Sequence, residues 1–449
     1  MVQVMYLQKL FNSHTLSFFS LAILFVVVHG WLFFKYQSWL VLGFDTGFYR
    51  RYLLEPLTSI PHASVPGLDH TVIIPRVFID VFRLTGLSTD VVLYGSYILA
   101  IIILLISFYF FVKEIFTKKI AYLATILLIL SPVYFHAFWF FLFKNFLALS
   151  LFFWLLISIR RKSWWLIIFL SLAIPVTHQS TTVIAGVIVF VYAVILFWRK
   201  ENFWLPLGSW FILTSIYLIY HPTVSAKLSA PPVAVFIDWS NFIQMIWPLL
   251  VLVLAGFWAT KDRFFDKNDL ISWSLVVILF LAFSLPYHER VFLFAIFPLA
   301  ILGAVILSRL NLVKILIVLF LFLFFWIYSI QTYSPYFSSA EVRSLQTLES
   351  LNKNDNVITP NFMAPWVHGY TVAKVFAPGV FKDPYSPIDW ELYWSHNEPS
   401  YDRAFLNAFP QPLYFYIPKG QEYFLPEQVC VNKINDALYL YICNKNDYE

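Results

Sequence analysis

The stretch "VLGFDTGFYRRYLLEP" (residues 41–56) directly follows the apolar run "LSFFSLAILFVVVHGWLFF" (16–34), and together they decide the fold class. The run is long enough to cross a hydrocarbon core, which takes roughly 17–25 apolar residues as a helix. No small-residue cleavage site clearly follows it, so it reads as a span rather than a removable leader. An aspartate, an aromatic pair and two arginines then mark where the chain leaves the lipid. In so greasy a chain, Asp45 needs a reason.

Of 449 residues, 60% are hydrophobic, 20% aromatic and only 12% charged. Mean hydropathy is +0.73. A soluble core of this size would need a more charged surface, so the class is a polytopic α-helical membrane protein. The net charge of +5 falls in short clusters between apolar runs, which points to membrane topology and not to nucleic acid. About eleven transmembrane helices are expected on the hydrocarbon ruler. They fall near residues 16–34, 91–112, 120–138, 139–159, 164–177, 182–198, 203–220, 242–259, 270–286, 291–307 and 312–331. The clusters "KEIFTKK", "RRK", "WRKEN", "TKDRFFDKND" and "SRLNLVK" occupy every second connection. By the positive-inside rule those loops and the N-terminus are cytoplasmic, and the other loops and the C-terminus lie outside.

Two segments exceed simple turns. The first outer loop, 35–90, carries "IPRVFIDVFRLTG", where Val77, Phe78, Val81 and Phe82 share a helical face and suggest an amphipathic helix on the membrane surface. The expected division is a membrane domain, 1–332, which includes that loop, and a small α+β extracytoplasmic domain, 333–449. In the tail the composition shifts to Asn, Asp, Pro, Ser and Tyr. "EVRSLQTLESLNK" has helical spacing, with Val342, Leu345, Leu348 and Leu351 along one side. "PLYFYIP" and "ALYLYIC" read as strands. The chain's two cysteines, Cys430 and Cys443, both lie here. An outer compartment favours a disulfide stapling "CVNKINDALYLYIC", against the alternative of two buried thiols.

No Walker loop, dinucleotide fingerprint, zinc spacing or Ser-His-Asp order is present. A divalent metal is left open, since no ligand motif argues for one. Polar residues instead gather toward the outer face: Asp45, then Asp69, His70 and Arg76 in the same loop. Lys144 and Asn145 interrupt "FWFFLFKNFLAL". A lysine costs about 2.5–3.5 kcal/mol at mid-bilayer, so Lys144 either serves a ligand or snorkels to the headgroups. "PVTHQSTT" places His178 and Gln179 in a polar turn after a span too short to cross. His178 there either orients a substrate or satisfies a free backbone carbonyl. "LPYHERVFLF" packs His288, Glu289 and Arg290 into an outer turn. Arg290 suits a phosphate, because its planar fork matches phosphate oxygens, though a Glu289 contact or a headgroup anchor is the plainer role. In "PWVHGY", Trp366, His368 and Tyr370 could meet a sugar face or a lipid headgroup, while a folded core explains Trp366 and Tyr370 as well.

An outward acidic residue after the first span, a long first outer loop with a surface helix, many spans and an outer C-terminal domain form a recognisable set. With "FDTGFYRRYL" and "PYHERVFLF", the chain resembles the GT-C superfamily of membrane glycosyltransferases. That superfamily includes protein O-mannosyltransferases, aminoarabinose transferases and oligosaccharyltransferases. The resemblance implies transfer of a sugar from a polyprenyl-phosphate or polyprenyl-diphosphate donor to a sugar, lipid or protein acceptor at the outer face. On that reading Asp45 is the general base, Arg290 and Lys144 bind the donor phosphate, and membrane lipids are the other partners. The acidic pair common in that loop is Asp45–Thr46 here, and no "WWD" signature occurs. The alternative for Asp45 is a cap or turn residue, with Arg50 and Arg51 as headgroup anchors.

Two other classes compete. A transporter or flippase for lipid-linked sugars would want charges deep in several spans and broken helices in matching halves, neither of which is evident. A non-catalytic scaffold presenting the outer domain would scatter Asp45, Lys144, His178 and Arg290.

Overall fold

A computed structural model of the chain describes residues 14–36, 42–43, 45–54, 73–220, 239–260, 278, 288–335, 337–378, 386–395, 399–422, 425–426 and 430–443. It divides into two compact units. The first takes Met1–Lys35, His70–Pro75 and Tyr97–Ser334; the second takes Tyr36–Asp69, Arg76–Ser96 and Pro335–Glu449.

The first unit is helical. Among the described residues, five helices are long and apolar enough to cross a membrane: α1 (His14–Tyr36), α4 (Thr89–Ile115), α7 (Phe143–Arg161), α9 (Gln179–Trp198) and α13 (Leu312–Ile330). In numbering these, α2 (Thr46–Leu54) and α3 (Ile73–Arg83) fall in the first loop. A bent pair, α5 (Lys118–Ile129) and α6 (Pro132–Trp139), is long and apolar enough only when its two halves are taken together. Further apolar helices are α8 (Trp164–Ala173), α10 (Trp204–Tyr220), α11 (Trp239–Thr260) and α12 (His288–Leu307). Outward faces stay apolar, as lipid requires: Leu312, Leu316, Phe320 and Phe324 of α13 are all exposed. The protein is therefore an integral multi-pass membrane protein.

Several expected spans are reshaped by local chemistry. The run 120–138 is broken, because Ser131 caps α6, Pro132 opens it, and the two halves meet at 56°. The span expected from Trp139 starts at Phe143 instead, since Phe141 takes a left-handed φ of 62° and ends the preceding helix. The run 164–177 stops as a helix at Ala173, with a turn through Thr177, and α9 begins at Gln179 and not Thr182. The expected span 270–286 lies outside the described residues, apart from buried Ile278.

The second unit is built on a sheet of order β2-β1-β3-β5-β4. Its strands are β1 (Asn356–Ile358), β2 (Lys374–Phe376), β3 (Leu413–Tyr416), β4 (Val431–Lys433) and β5 (Leu438–Tyr441). β1 pairs in parallel with β2 and β3, whereas β5 runs antiparallel to β3 and β4. Because side chains alternate along a strand, β1 and β2 each feed two cores. Val357 and Val375 join Leu345, Leu348 and Trp366, while Ile358 and Phe376 join Trp390, Phe405 and Phe409. Besides α2 and most of α3, its helices are α14 (Ser339–Gln346), α15 (Ala364–Tyr370), α16 (Pro387–Ser395) and α17 (Pro399–Asn407). A capping box between Ser338 and Glu341 opens α14. Its expected apolar side is real: Leu345 and Leu348 are fully buried, and Val342 packs against the same core. "PLYFYIP" and "ALYLYIC" contain β3 and β5. Cys430 and Cys443 are disulfide-bonded across the β4–β5 hairpin, with Cα atoms 4.8 Å apart.

Candidate functional site

Asp45 is the residue immediately before α2. Its backbone carbonyl accepts from the N–H groups of Phe48 (3.1 Å) and Tyr49 (3.4 Å), so it begins the first turn, and the residue is half-buried. The helix that follows, "TGFYRRYLL", is buried along almost its whole length, including both arginines.

That helix lies against α15 with the two backbones touching. A Cβ on Gly47 would meet the Pro365 carbonyl oxygen at 2.1 Å, and one on Gly369 would meet the Gly47 carbonyl oxygen at 2.4 Å. Only glycine at both positions permits this approach. "FDTGFYRR" and "PWVHGY" are thus two halves of one helix pair.

The arginines complete the joint, and this corrects their reading as headgroup anchors. Arg50 is 5% exposed; it donates to the Gly369 carbonyl (2.8 Å), to Asp90 (3.1 Å) and to Glu349 (2.7 Å). Its guanidinium also covers the Tyr370 ring at 3.7 Å. Arg51 is 7% exposed and donates to the carbonyls of Thr371, His368 (3.4 Å) and Val372 (3.3 Å). A helix leaves its last carbonyls unpaired, and a cation at that end is favoured by the helix dipole. The physical reason for burying both charges is that they cap α15.

Electrostatics follow from this burial. Burial pushes the Tyr370 hydroxyl up to about 12, against the pull of Arg50. Burial, helped by the Arg51 charge, lowers His368 to about 3, so its ring is neutral at physiological pH. Burial opposes the Arg50 charge, but Tyr370, Asp90 and Glu349 raise its affinity for the proton overall.

The other sequence candidates are placed as follows. Trp366 is fully buried and edge-on to Phe337 at 5.2 Å, and Tyr370 is 2% exposed beneath Arg50, so both are core residues of the second unit. Arg76 of α3 is 1% exposed, 3.7 Å from Asp80 and over the Tyr52 ring at 5.4 Å, which turns it inward from the surface face. Val77 and Val81 of that face are exposed; Phe78 and Phe82 are half-covered. Asp69 and His70 lie outside the described residues.

In the first unit, Lys144 sits half-buried in the first turn of α7 beside buried Asn145. His178 caps α9: its Nδ1 accepts from the Thr181 N–H at 3.3 Å and lies 2.8 Å from the Thr181 hydroxyl. Through Nδ1 it satisfies a backbone amide N–H at the start of the helix. Gln179 Nε2 donates to Tyr217 at 3.3 Å. His288, Glu289 and Arg290 open α12 and form its first turn, not a separate tight turn. Among the described residues no cluster of three or more His, Cys, Asp or Glu could hold a metal. An apolar cavity lined by Phe111, Leu149, Phe153, Ile188 and Phe297 carries no titratable group.

The whole chain is similar to solved membrane transferases. Oligosaccharyltransferase AglB from Archaeoglobus fulgidus, in complex with an inhibitory peptide and a dolichol-phosphate, matches with a TM-score of 0.64 at 11% identity; the match covers 90% of this chain and 69% of that one. ArnT from Cupriavidus metallidurans, bound to undecaprenyl phosphate, matches with a TM-score of 0.59 at 14% identity, over 93% of this chain and 97% of that one. The fold is shared with GT-C glycosyltransferases. No family model matches the sequence, and neither does any curated protein. At these identities the likeness establishes the fold, and the roles of individual residues rest on their own chemistry.

Proposed function

We propose that the protein is a lipid-phosphate-sugar-dependent glycosyltransferase with about eleven spans, its N-terminus cytoplasmic and its 333–449 domain outside. Asp45 takes the proton of an acceptor hydroxyl as that oxygen attacks the anomeric carbon. The bond from that carbon to the donor's phosphate oxygen breaks, and the lipid phosphate leaves as an anion. Arg290 and Lys144 are assigned to that phosphate because guanidinium and ammonium groups stabilise developing anionic charge. The observation that carries the reading is the shared fold, in which both AglB and ArnT are seen with a polyprenyl-type phosphate. The position of Asp45, half-buried at the head of a rigidly held helix just beyond α1, supports it.

The test is single-turnover transfer from a panel of lipid-linked sugars. Asp45→Asn should lower transfer by about 10²–10⁴-fold with donor binding little changed. Asn caps a helix nearly as well as Asp, so equal rates would return Asp45 to a capping role. Arg290→Lys keeps the charge but loses the fork, and should weaken donor binding. Protease added to intact cells should reach the tail and spare the "RRK" loop; the reverse pattern overturns the orientation.

A further inference from the structure

We propose that Arg50 and Arg51 are positioning residues, which pin α2 to the end of α15 so that the tail fixes the place of the Asp45 carboxylate. This rests on the reading of Asp45 as the base and adds what holds that base still.

α2 has nine residues. An isolated helix shorter than about 12–15 residues is marginal in water, so α2 owes its position to tertiary contacts. Those contacts converge on its second turn. Arg50 gathers the first turn of α4 through Asp90, the 3₁₀ turn after α14 through Glu349, and α15 through Gly369. Arg51 adds the His368, Thr371 and Val372 carbonyls just beyond. Together the two guanidiniums take the His368 and Gly369 carbonyls in the last turn of α15 and the Thr371 and Val372 carbonyls after it. The Gly47–Gly369 contact sets the distance between the helices, and the arginines set the rotation. Asp45 lies one turn before Arg50 on the same rigid piece. A general base has to be held to within a fraction of an ångström of the proton it removes, since a misplacement of about 1 Å can cost 10²-fold.

Lysine is the informative substitution. It keeps the charge, but its three donors radiate from one nitrogen and cannot reproduce the planar fork that spans several separated acceptors. In the full-length protein, Arg50→Lys and Arg51→Lys should each lower kcat by about 10–100-fold while leaving the donor KM unchanged. A second readout follows position directly. Because Cys430 and Cys443 are bonded to each other, Asp45→Cys introduces the only free thiol. Its labelling by a water-soluble maleimide should become about tenfold faster when Arg51→Lys is added. Retention of the native disulfide and of an unchanged elution profile shows that each variant has folded.

Unchanged kcat together with unchanged labelling in folded variants overturns the proposal. So does a raised donor KM with kcat preserved, which would assign the arginines to donor binding. If Asp45→Asn transfers at the wild-type rate, the base assignment falls and labelling alone decides the clamp: faster labelling upholds it, equal labelling rejects it. If Asp45→Asn is inactive while both lysine variants behave as wild type, the clamp falls and the base stands.

Discussion

α13 and α2 turn opposite chemistry toward their surroundings. α13 exposes Leu312, Leu316, Phe320 and Phe324 and buries little, whereas α2 buries Arg50 and Arg51 with almost everything else. Lipid is as apolar as leucine, so a span gains little from hiding its side chains and can leave them outward. Water offers hydration to guanidinium groups, so burying two of them demands hydrogen-bonded partners that replace it. Outward leucines are what the solvent dictates; inward arginines mark a joint that nothing else supplies.

The joint is most directly broken at its tightest point. Gly47→Ala puts a methyl group within 2.1 Å of the Pro365 oxygen, a backbone atom that cannot move alone. The helix pair should separate, with a loss of about 3 kcal/mol or more, at the upper end for overpacking. Hydrogen exchange should then rise through 364–370 while α7 stays protected. Native protection of 364–370 in Gly47→Ala would show that the two helices do not depend on this contact.

How much of this was legible beforehand follows the same divide. Apolar length and basic clusters revealed α1, α4, α7, α9 and α13, because a span reports its solvent in its own composition. The bend between α5 and α6 was also written locally, in Ser131-Pro132, but a continuous hydropathy signal masks it. Of the tail's strands, β3 and the β4–β5 hairpin followed from alternation, and the disulfide from the expected compartment, whereas β1 and β2, three residues each, left no such signal. The α2–α15 joint was not legible. Its two glycines meet each other, and its two arginines meet the end of α15, across some 320 residues of sequence, as with Arg51 and Thr371, and each is locally compatible with a loop. The only hint was a pair of adjacent arginines in a chain with so few charges. The aromatic content of "PWVHGY" pointed toward ligand binding, yet Trp366 and Tyr370 fill the core.

A smaller effect tests whether the joint stays dry. His368 ordinarily titrates near 6.5, and in the fold it is lowered to about 3, first by burial and then by Arg51. The folded protein therefore binds fewer protons than the unfolded chain between those values. Its contribution is complete above pH 6.5 and is lost as pH falls toward 3, at about 1.4 kcal/mol for each pH unit. Between pH 6.5 and 5, where carboxylates remain mostly ionised, unfolding of the second unit should become easier by about 2 kcal/mol. His368→Phe removes the titration and should flatten that slope. Equal slopes in both proteins would mean that water reaches the ring.

The smallest expected effect is the same glycine-to-alanine change made in the membrane unit. Gly303 of α12 also sits at a close approach, but its neighbours are the tips of leucine side chains: Leu249 at 2.9 Å, Leu127 at 3.1 Å and Leu252 at 3.1 Å. Terminal methyl groups can swing by a few tenths of an ångström, and a carbonyl oxygen in a packed helix cannot. Alanine in a helix interior is also favoured over glycine by about 0.5–1 kcal/mol, which offsets part of the crowding. Gly303→Ala should therefore change stability by no more than about 1 kcal/mol in either direction, well below Gly47→Ala. Thermal unfolding of both variants in one detergent makes the comparison. If the two destabilise equally, backbone contact is not what distinguishes the α2–α15 joint, and the rigidity assigned to α2 loses its basis.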